Sequence, residues 1–177
     1  MCQEGLWSYF FLWSYREIIL DYLLFSNASL RNISYIVTRK GWLYLAVVLD
    51  LFSRKIVGFS MSSRIQTDLV KRALQQAILH RNPERGLIHH SDRGSQYTSE
   101  DFKKKTDQHE MILSMSSSKG NCYDNAVVER FFHSLKTEHT NFYKFKTKEE
   151  AMDSLFAYIE VFYNKKRSHS TLGYVSP

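Results

Sequence analysis

The sequence predicts an α/β domain in which a small sheet packs against helices. Short β-branched and aromatic runs come first, two further short apolar runs alternate with helix-like segments, and two longer helix-like segments close the chain. This alternation is typical of mixed α/β proteins rather than of all-β or all-helical ones. A chain of 177 residues that is 44% hydrophobic is also long enough to bury a sizeable core, and its length favours one domain, with or without an appendage.

Three strands are predicted at 32–37, 42–50 and 55–61. The first two are separated by the segment 38–41, in which Gly41 can supply the positive φ that a tight hairpin needs. The turn-like segment 52–54 links the second strand to the third. Because all three are joined by short connections, an antiparallel meander is expected.

A helix beginning at Thr67 is predicted from a single apolar stripe with spacings of three and four residues, formed by Leu69, Val70, Leu74, Ala77 and Ile78. The later elements alternate in the same orderly way. They are a strand at 87–90, a helix from the N-cap Ser99 to Gln108, a strand at 111–114, a helix from the N-cap Asp124 to Glu138, and a last helix from Thr147 to about Asn164.

Residues 1–31 do not join this pattern. They are either an amphipathic helix packed on the core or an extension, because the apolar stripe there is broad and poorly defined. Leu6 to Phe25 is rich in aromatic residues and leucine, but Arg16, Glu17 and Asp21 interrupt it before about 20 apolar residues accumulate. The basic start and small-residue cleavage site of a signal peptide are also missing. No membrane segment is predicted.

Composition favours a polyanionic partner in a reducing compartment. The chain has 24 Lys and Arg against 18 Asp and Glu, a net charge of +6, and a pI near 9.3. A basic surface attracts nucleic acid, since neutralising phosphates releases counterions. Cys2 and Cys122 are the only thiols and form no CxxC pair, so a disulfide framework or zinc site is not expected.

Two carboxylates occupy positions suited to a divalent metal ion. Asp92 comes directly after the predicted strand 87–90, and Glu129 lies early in the predicted helix, on one face with Asn125 and His133. Oxygen ligands at a strand end and on a neighbouring helix can hold Mg²⁺ and leave positions open for phosphate and water. Taken singly, each has a more common structural role, a loop cap for Asp92 and a solvated helix position for Glu129.

Five ordered motifs together give a more specific hypothesis. They are the run from Gly41 to Gly58, His90 to Tyr97, Ser114 to Ser116, Gly120 to Ala126 with Glu129, and Tyr163 to Pro177. In this order they closely resemble the integrase core of bacterial insertion-sequence transposases (orfB type, IS-three family), within the DDE, retroviral-integrase-like superfamily. The resemblance covers about residues 32–177 and implies a ribonuclease-H-like fold with a mixed five-stranded sheet flanked by helices.

The resemblance also implies a catalytic triad with one substitution. Asp92 matches the second acid of the family and Glu129 the third. The first acid belongs to a segment that usually reads Asp-Ile-Thr-Tyr-Ile, and residues 32–36 read Asn-Ile-Ser-Tyr-Ile, so Asn32 stands at its position. Active members are expected to hold two Mg²⁺ or Mn²⁺ ions there, and an amide brings no charge to offset the repulsion between them. Strand cleavage and transfer are therefore expected to be impaired.

Asp50 could be considered as a replacement for the missing first acid. A structural role in tying down the turn at 52–54 is favoured over that of a replacement ligand.

The implied partners are DNA, at element ends and target, and further copies of the chain, rather than a small-molecule substrate or a membrane. Five side chains are candidates for backbone phosphate contacts, with a solvated surface role as the alternative for each: Arg93, Lys136, Lys165, Lys166 and Arg167.

The resemblance divides the chain into an atypical extension, 1–31, without the helix-turn-helix region of full members, and a core, 32–177, with its C-terminal helix. A bacterial, cytoplasmic location is expected.

Two alternatives remain open. The chain could be a non-catalytic DNA-binding remnant of a transposase, which Asn32 favours. It could instead be a ribonuclease-H-type nuclease, against which the motif at 163–177 counts. The sequence also does not decide whether Tyr163, Asn164 and His169 pack against the core or brace the active site.

Overall fold

The computed structural model describes residues 28–91, 99–115 and 126–177. These contain one five-stranded sheet with the strand order β3-β2-β1-β4-β5. The strands are β1 (Ala28–Thr38), β2 (Gly41–Asp50), β3 (Ile56–Ser62), β4 (Ile88–Ser91) and β5 (Ile112–Met115). Antiparallel pairing joins β1 to β2 and β2 to β3, whereas β4 lies parallel to both β1 and β5. The predicted mixed sheet and antiparallel meander are confirmed.

The helices follow the predicted order. They are α1 (Thr67–Arg81), α2 (Glu100–Gln108), α3 (Ala126–Glu138) and α4 (Lys148–Ala157), which continues as a π-helix (Tyr158–Tyr163). Short 3₁₀ turns occupy Thr140–Phe142 and Ser170–Leu172. Within the described ranges, no helix has the length and apolar character needed to span a bilayer.

The sheet separates two apolar cores, and β2 contributes to both. Leu45, Val47 and Leu49 face the core that α3 and α4 cover. Ala46 and Val48 face the core that α1 covers. Successive side chains of a strand point to opposite faces, so a continuous apolar run such as β2 is buried on both sides.

Helix α1 packs very closely on β3. All five residues of its predicted stripe are buried, together with Ala73. The approach depends on Gly58, because a Cβ at that position would lie 2.2 Å from the backbone oxygen of Ala73. Only glycine leaves room for the helix backbone there.

The outer edge of β3 is hydrogen-bonded by side chains. Asn164 accepts a hydrogen bond from Ile56 N at 3.0 Å and donates one to Ile56 O at 2.9 Å. Gln76 Oε1 accepts from Phe59 N at 2.7 Å. Buried backbone groups need such partners, because an unpaired one costs the free energy of a lost hydrogen bond.

Strands β3, β4 and β5 are each shifted by one residue from the prediction, and two elements differ further. Strand β1 begins at Ala28, four residues before the predicted start, because Ser29 pairs with Asp50 of β2 and Leu30 with His90 of β4. The last helix reaches the predicted end but widens into π-turns after Ala157. The predicted cap Asp124, the loop 116–121 and residues 1–27 lie outside the described residues.

Candidate active site

Strand β1 and helix α3 form a groove that contains two of the three predicted acid positions. The groove has a volume of about 380 Å³. Its lining consists of Asn32, Ile33, Ser34 and Tyr35 from β1 and Glu129, Phe132, His133 and Lys136 from α3. Since Glu129, His133 and Lys136 recur at spacings of four and three, one side of the helix faces the groove. Residues that are 97 positions apart in sequence thus share one site.

Asn32 is half-buried and already uses part of its hydrogen-bonding capacity. Its Oδ1 accepts a hydrogen bond from Ile33 N at 2.7 Å. A carboxamide oxygen has two lone pairs, so one remains available to a cation. Unlike a carboxylate, however, it brings no negative charge to the groove.

The α3 side of the groove carries a cation beside an aromatic pair. Lys136 Nζ lies 5.3 Å from the centroid of the Tyr35 ring, within the range of a cation–π contact. Tyr35 in turn meets Trp42 edge to face, with 4.9 Å between the ring centroids. The Tyr35 side chain is 54% exposed. Aromatic faces and a lysine at a groove rim are compatible with contacts to nucleic acid.

The second predicted acid, Asp92, and the predicted DNA contact Arg93 lie outside the described residues. Ser91 is the last residue of β4. Leu30 of β1 pairs with His90 of β4. In sequence, Asn32 and Asp92 each lie two residues beyond that pair.

The described donors alone do not fit a two-metal site. Glu129 is the only carboxylate among the described residues that line the groove. The described ranges also contain no group of three or more His, Cys, Asp or Glu side chains placed to hold a metal ion. One carboxylate and one neutral amide leave most of the charge of two divalent ions unbalanced.

Asp50 has the structural role that the sequence favoured. Its Oδ1 accepts hydrogen bonds from Phe52 N at 2.9 Å and Ser53 N at 3.0 Å. Its Oδ2 lies 2.6 Å from a terminal nitrogen of Arg81. The prediction that Asp50 ties down this turn is confirmed, and its carboxylate is already matched by a cation.

The predicted phosphate contacts of the C-terminal segment fall into two groups. Lys165 and Lys166 are exposed. Arg167 instead donates hydrogen bonds from Nε and a terminal nitrogen to the carboxylate of Glu138, at distances down to 2.7 Å. A terminal nitrogen of Arg167 also donates a hydrogen bond to Ser134 Oγ at 3.1 Å. Its charge is therefore matched within the protein, and DNA contacts at all three positions remain predictions.

The C-terminal segment, residues 163–177, is anchored to the core. The sequence alone did not decide whether Tyr163 and Asn164 pack there or brace the active site. Asn164 bonds Ile56 as described above, and the rings of Tyr163 and Phe131 meet edge to face at 4.8 Å. Burial raises the pKa of Tyr163 to about 12. Hydrogen bonds from Arg167, opposed by burial, lower the pKa of Glu138. Tyr163 and Asn164 thus pack against the core and do not line the groove.

Two family models match the chain, and both are described as an integrase core domain. The first covers residues 33–122 and the second 112–177. The chain belongs to the integrase core domain family. The matched residues include β1 from Ile33 onward and the whole of α3.

Curated relatives of this integrase core domain come from bacterial insertion sequences. The chain is 51% identical over 148 residues to the transposase for insertion sequence element IS904 of Lactococcus lactis, covering 84% of this chain and 58% of the relative. It is 48% identical over 146 residues to the transposase InsF for insertion sequence IS3A of Escherichia coli, covering 82% and 50%. The chain thus spans about half the length of these relatives. The predicted resemblance to insertion-sequence transposases is confirmed.

Solved structures with the same fold are retroviral integrase cores. The catalytic core of BIV integrase gives a TM-score of 0.62 at 17% identity, covering 86% of this chain and 91% of that one. The catalytic core of HTLV-2 integrase, solved in complex with magnesium, gives 0.64 at 16% identity, covering 85% and 93%. The predicted ribonuclease-H-like fold is confirmed.

Proposed function

We propose that this chain is the core of an insertion-sequence transposase that binds DNA and is impaired in strand cleavage and transfer. The observation that carries the proposal is the shared groove of Asn32 and Glu129 in a chain of the integrase core domain family. In this proposal Asn32, Asp92 and Glu129 occupy the three acid positions of the family. The proposed core unit is residues 32–177, extended by residues 28–31 because β1 begins at Ala28.

The proposed substrate is DNA, and the net charge of +6 supports it. Lys136 stands at the groove beside Glu129, where its ammonium group can hold a backbone phosphate near the carboxylate. Arg93, Lys165, Lys166 and Arg167 remain proposed phosphate contacts. Self-association on paired DNA ends is proposed from the family alone.

The impairment follows from charge. Mg²⁺ or Mn²⁺ is the proposed cofactor, and a two-ion site needs carboxylates to offset the repulsion between the cations. Asn32 removes one of three negative charges from the proposed ligand set. If this costs about 4 kcal/mol of transition-state stabilisation, the rate falls about a thousandfold.

The decisive experiment compares this chain with its Asn32→Asp variant in metal-dependent nicking and strand transfer on duplex DNA. A matched control is Asn141→Asp, which adds the same charge at an exposed position remote from the groove lining. We expect activity in Asn32→Asp only. Equal activity in the parent chain and Asn32→Asp would show that Asn32 is not at the first ligand position.

A second candidate function is a non-catalytic DNA-binding protein that competes with active transposases for DNA or partner subunits. The neutral side chain of Asn32 favours it. Gel-shift binding to duplex DNA, with no cleavage by either the parent chain or Asn32→Asp in Mg²⁺ or Mn²⁺, would support this candidate over the first.

A further inference from the structure

A second cavity lies beside α3, on a side of the helix next to the one that faces the groove. It has a volume of about 320 Å³ and lies between α3, the turn before β3 and the C-terminal segment. Polar residues around it include Arg54, Arg130, Tyr163, Arg167, His169 and Thr171. No Asp or Glu is among the described residues that line it.

Arg54 lacks a counterion at this cavity. Within the described ranges its guanidinium makes no hydrogen bond and no salt bridge. Burial lowers the pKa of Arg54, and the nearby charge of Arg130 adds to this effect, whereas Tyr163 and Asp50 act in the opposite direction. The Asp50 carboxylate is already held by the turn and by Arg81. The charges of Arg54 and Arg130 repel each other, and Arg54 is half-buried, so an anion between them would stabilise both.

The other polar groups of the cavity supply hydrogen-bond donors without adding an unmatched charge. Arg167 is matched by Glu138. Burial, reinforced by Arg167 and Arg54, lowers the pKa of His169 below its usual 6.5, so its ring is neutral at pH 7. Because burial raises the pKa of Tyr163 to about 12, its hydroxyl stays protonated and can donate. Guanidinium groups beside neutral hydrogen-bond donors are the chemistry of a phosphate site.

We propose that the cavity between Arg54 and Arg130 binds a phosphate group. Resting on the proposed function, that phosphate belongs to the backbone of the DNA that lies along the groove on the neighbouring side of α3. The two sides are adjacent, because Glu129 and Arg130 are successive residues and therefore about 100° apart on the helix. Such a contact contributes affinity and register without reading base sequence.

The test measures affinity for duplex DNA over a range of salt concentrations in three variants. Arg54→Gln removes the guanidinium, Arg54→Lys keeps the charge but removes the planar fork, and Arg64→Gln is the matched control. Arg64 is exposed and follows the opposite end of β3. We expect Arg54→Gln to weaken binding about tenfold and to lower the salt slope by about 1. Arg54→Lys should lose most of the same affinity, and Arg64→Gln less than twofold.

Equal losses in Arg54→Gln and Arg64→Gln would overturn the proposal, because they would show only a long-range electrostatic effect. Arg130→Gln provides a second variant on an exposed helix position, where a change of side chain leaves the packing intact. It should also weaken binding. Unchanged affinity in Arg130→Gln would contradict the pairing of the two arginines.

A second arm uses inorganic phosphate as the probe and does not depend on the proposed function. At matched ionic strength, millimolar phosphate should raise the melting temperature of the parent chain relative to chloride, and Arg54→Gln should abolish this shift. If the parent chain failed to bind DNA, the proposed function would be rejected. The melting-temperature shift would still show whether the cavity binds phosphate. No shift in the parent chain would overturn the phosphate site itself.

Discussion

The two sides of helix α3 differ in how their charges are balanced. On the groove side, Glu129 shares the groove with Asn32, which stands at the proposed position of the first acid, and Lys136 lines the same groove. On the cavity side, Arg54 and Arg130 line one cavity with no acid among its described lining residues. The groove side therefore has little negative charge for the proposed metal ions, whereas the cavity side has unmatched positive charge for the proposed phosphate. We expect strand cleavage and DNA affinity to be lost independently of each other.

The largest effect should come from removing the Glu129 carboxylate once the first acid is restored. In the Asn32→Asp background, Glu129→Gln should lower the strand-cleavage rate about a thousandfold, since it removes a charge from the proposed metal site. Duplex affinity should change little. Single-turnover cleavage at saturating DNA measures this rate.

The matched variant on the other side is Arg130→Gln in the same Asn32→Asp background. It should weaken DNA binding but leave the single-turnover rate at saturation unchanged. A large loss of rate in Arg130→Gln, or none in Glu129→Gln, would remove the distinction between the two sides of the helix.

A smaller effect is expected from the residue that anchors the C-terminal segment behind the cavity. Asn164→Ala leaves Ile56 N and Ile56 O without their side-chain partner, and each buried orphan group costs about 1–3 kcal/mol. The free energy of unfolding should fall by about 2–4 kcal/mol in urea titrations. The exposed change Asn141→Ala should cost less than about 0.5 kcal/mol. Equal costs would mean that Asn164 does not anchor the segment.

The smallest effect concerns pH and the ion pair on the cavity side. Glu138 has a lowered pKa in the folded chain, because Arg167 hydrogen-bonds its charged form. A lowered pKa stabilises the fold above the unfolded value near 4.5, and this contribution is lost as the pH falls through the folded pKa. Because the pair is partly exposed, we expect at most about 1 kcal/mol.

The measurement compares the free energy of unfolding of the parent chain with that of Glu138→Gln between pH 7 and pH 3. The parent chain should be more stable near neutrality, and the difference should shrink in acid. The exposed change Asp153→Asn serves as the control with the same loss of charge. A difference that grew toward pH 3 would contradict the sign of the pKa shift.

Local patterns were enough to predict most elements of this fold. The stripe of α1 is buried as expected, since a spacing of three and four residues selects one side of any helix. The hairpin of β1 and β2 follows from β-branched runs on either side of Gly41, whose φ is +97°. Features set by neighbouring residues in the chain could thus be derived from the sequence alone.

Features set by distant residues could not be derived in the same way. Residues 28–31 carry little strand pattern of their own and become part of β1 by pairing with β2 and β4. Arg167 has the sequence character of a phosphate contact, yet its partner Glu138 lies 29 residues earlier. The sequence places Arg54 in a turn and in the motif at 41–58, and nothing local indicates that it lies near Arg130.

At the candidate site, the sequence placed Asn32 and Glu129 by resemblance, and the structure brings them into one groove. The role of each residue there stays a prediction. Asp92 and Arg93 lie outside the described residues, so their positions rest on the motif alone.

The two hydrogen bonds between Asn164 and Ile56 affect how the chain behaves during its synthesis. Among the described strands, β3 lies at an edge of the sheet. During synthesis Ile56 leaves the ribosome 108 residues ahead of the Asn164 side chain that satisfies its backbone groups. Until then, that edge offers free N–H and C=O groups to any other nascent chain, the usual starting point for aggregation. A gene truncated before codon 164 would therefore yield an aggregation-prone product rather than a merely inactive one.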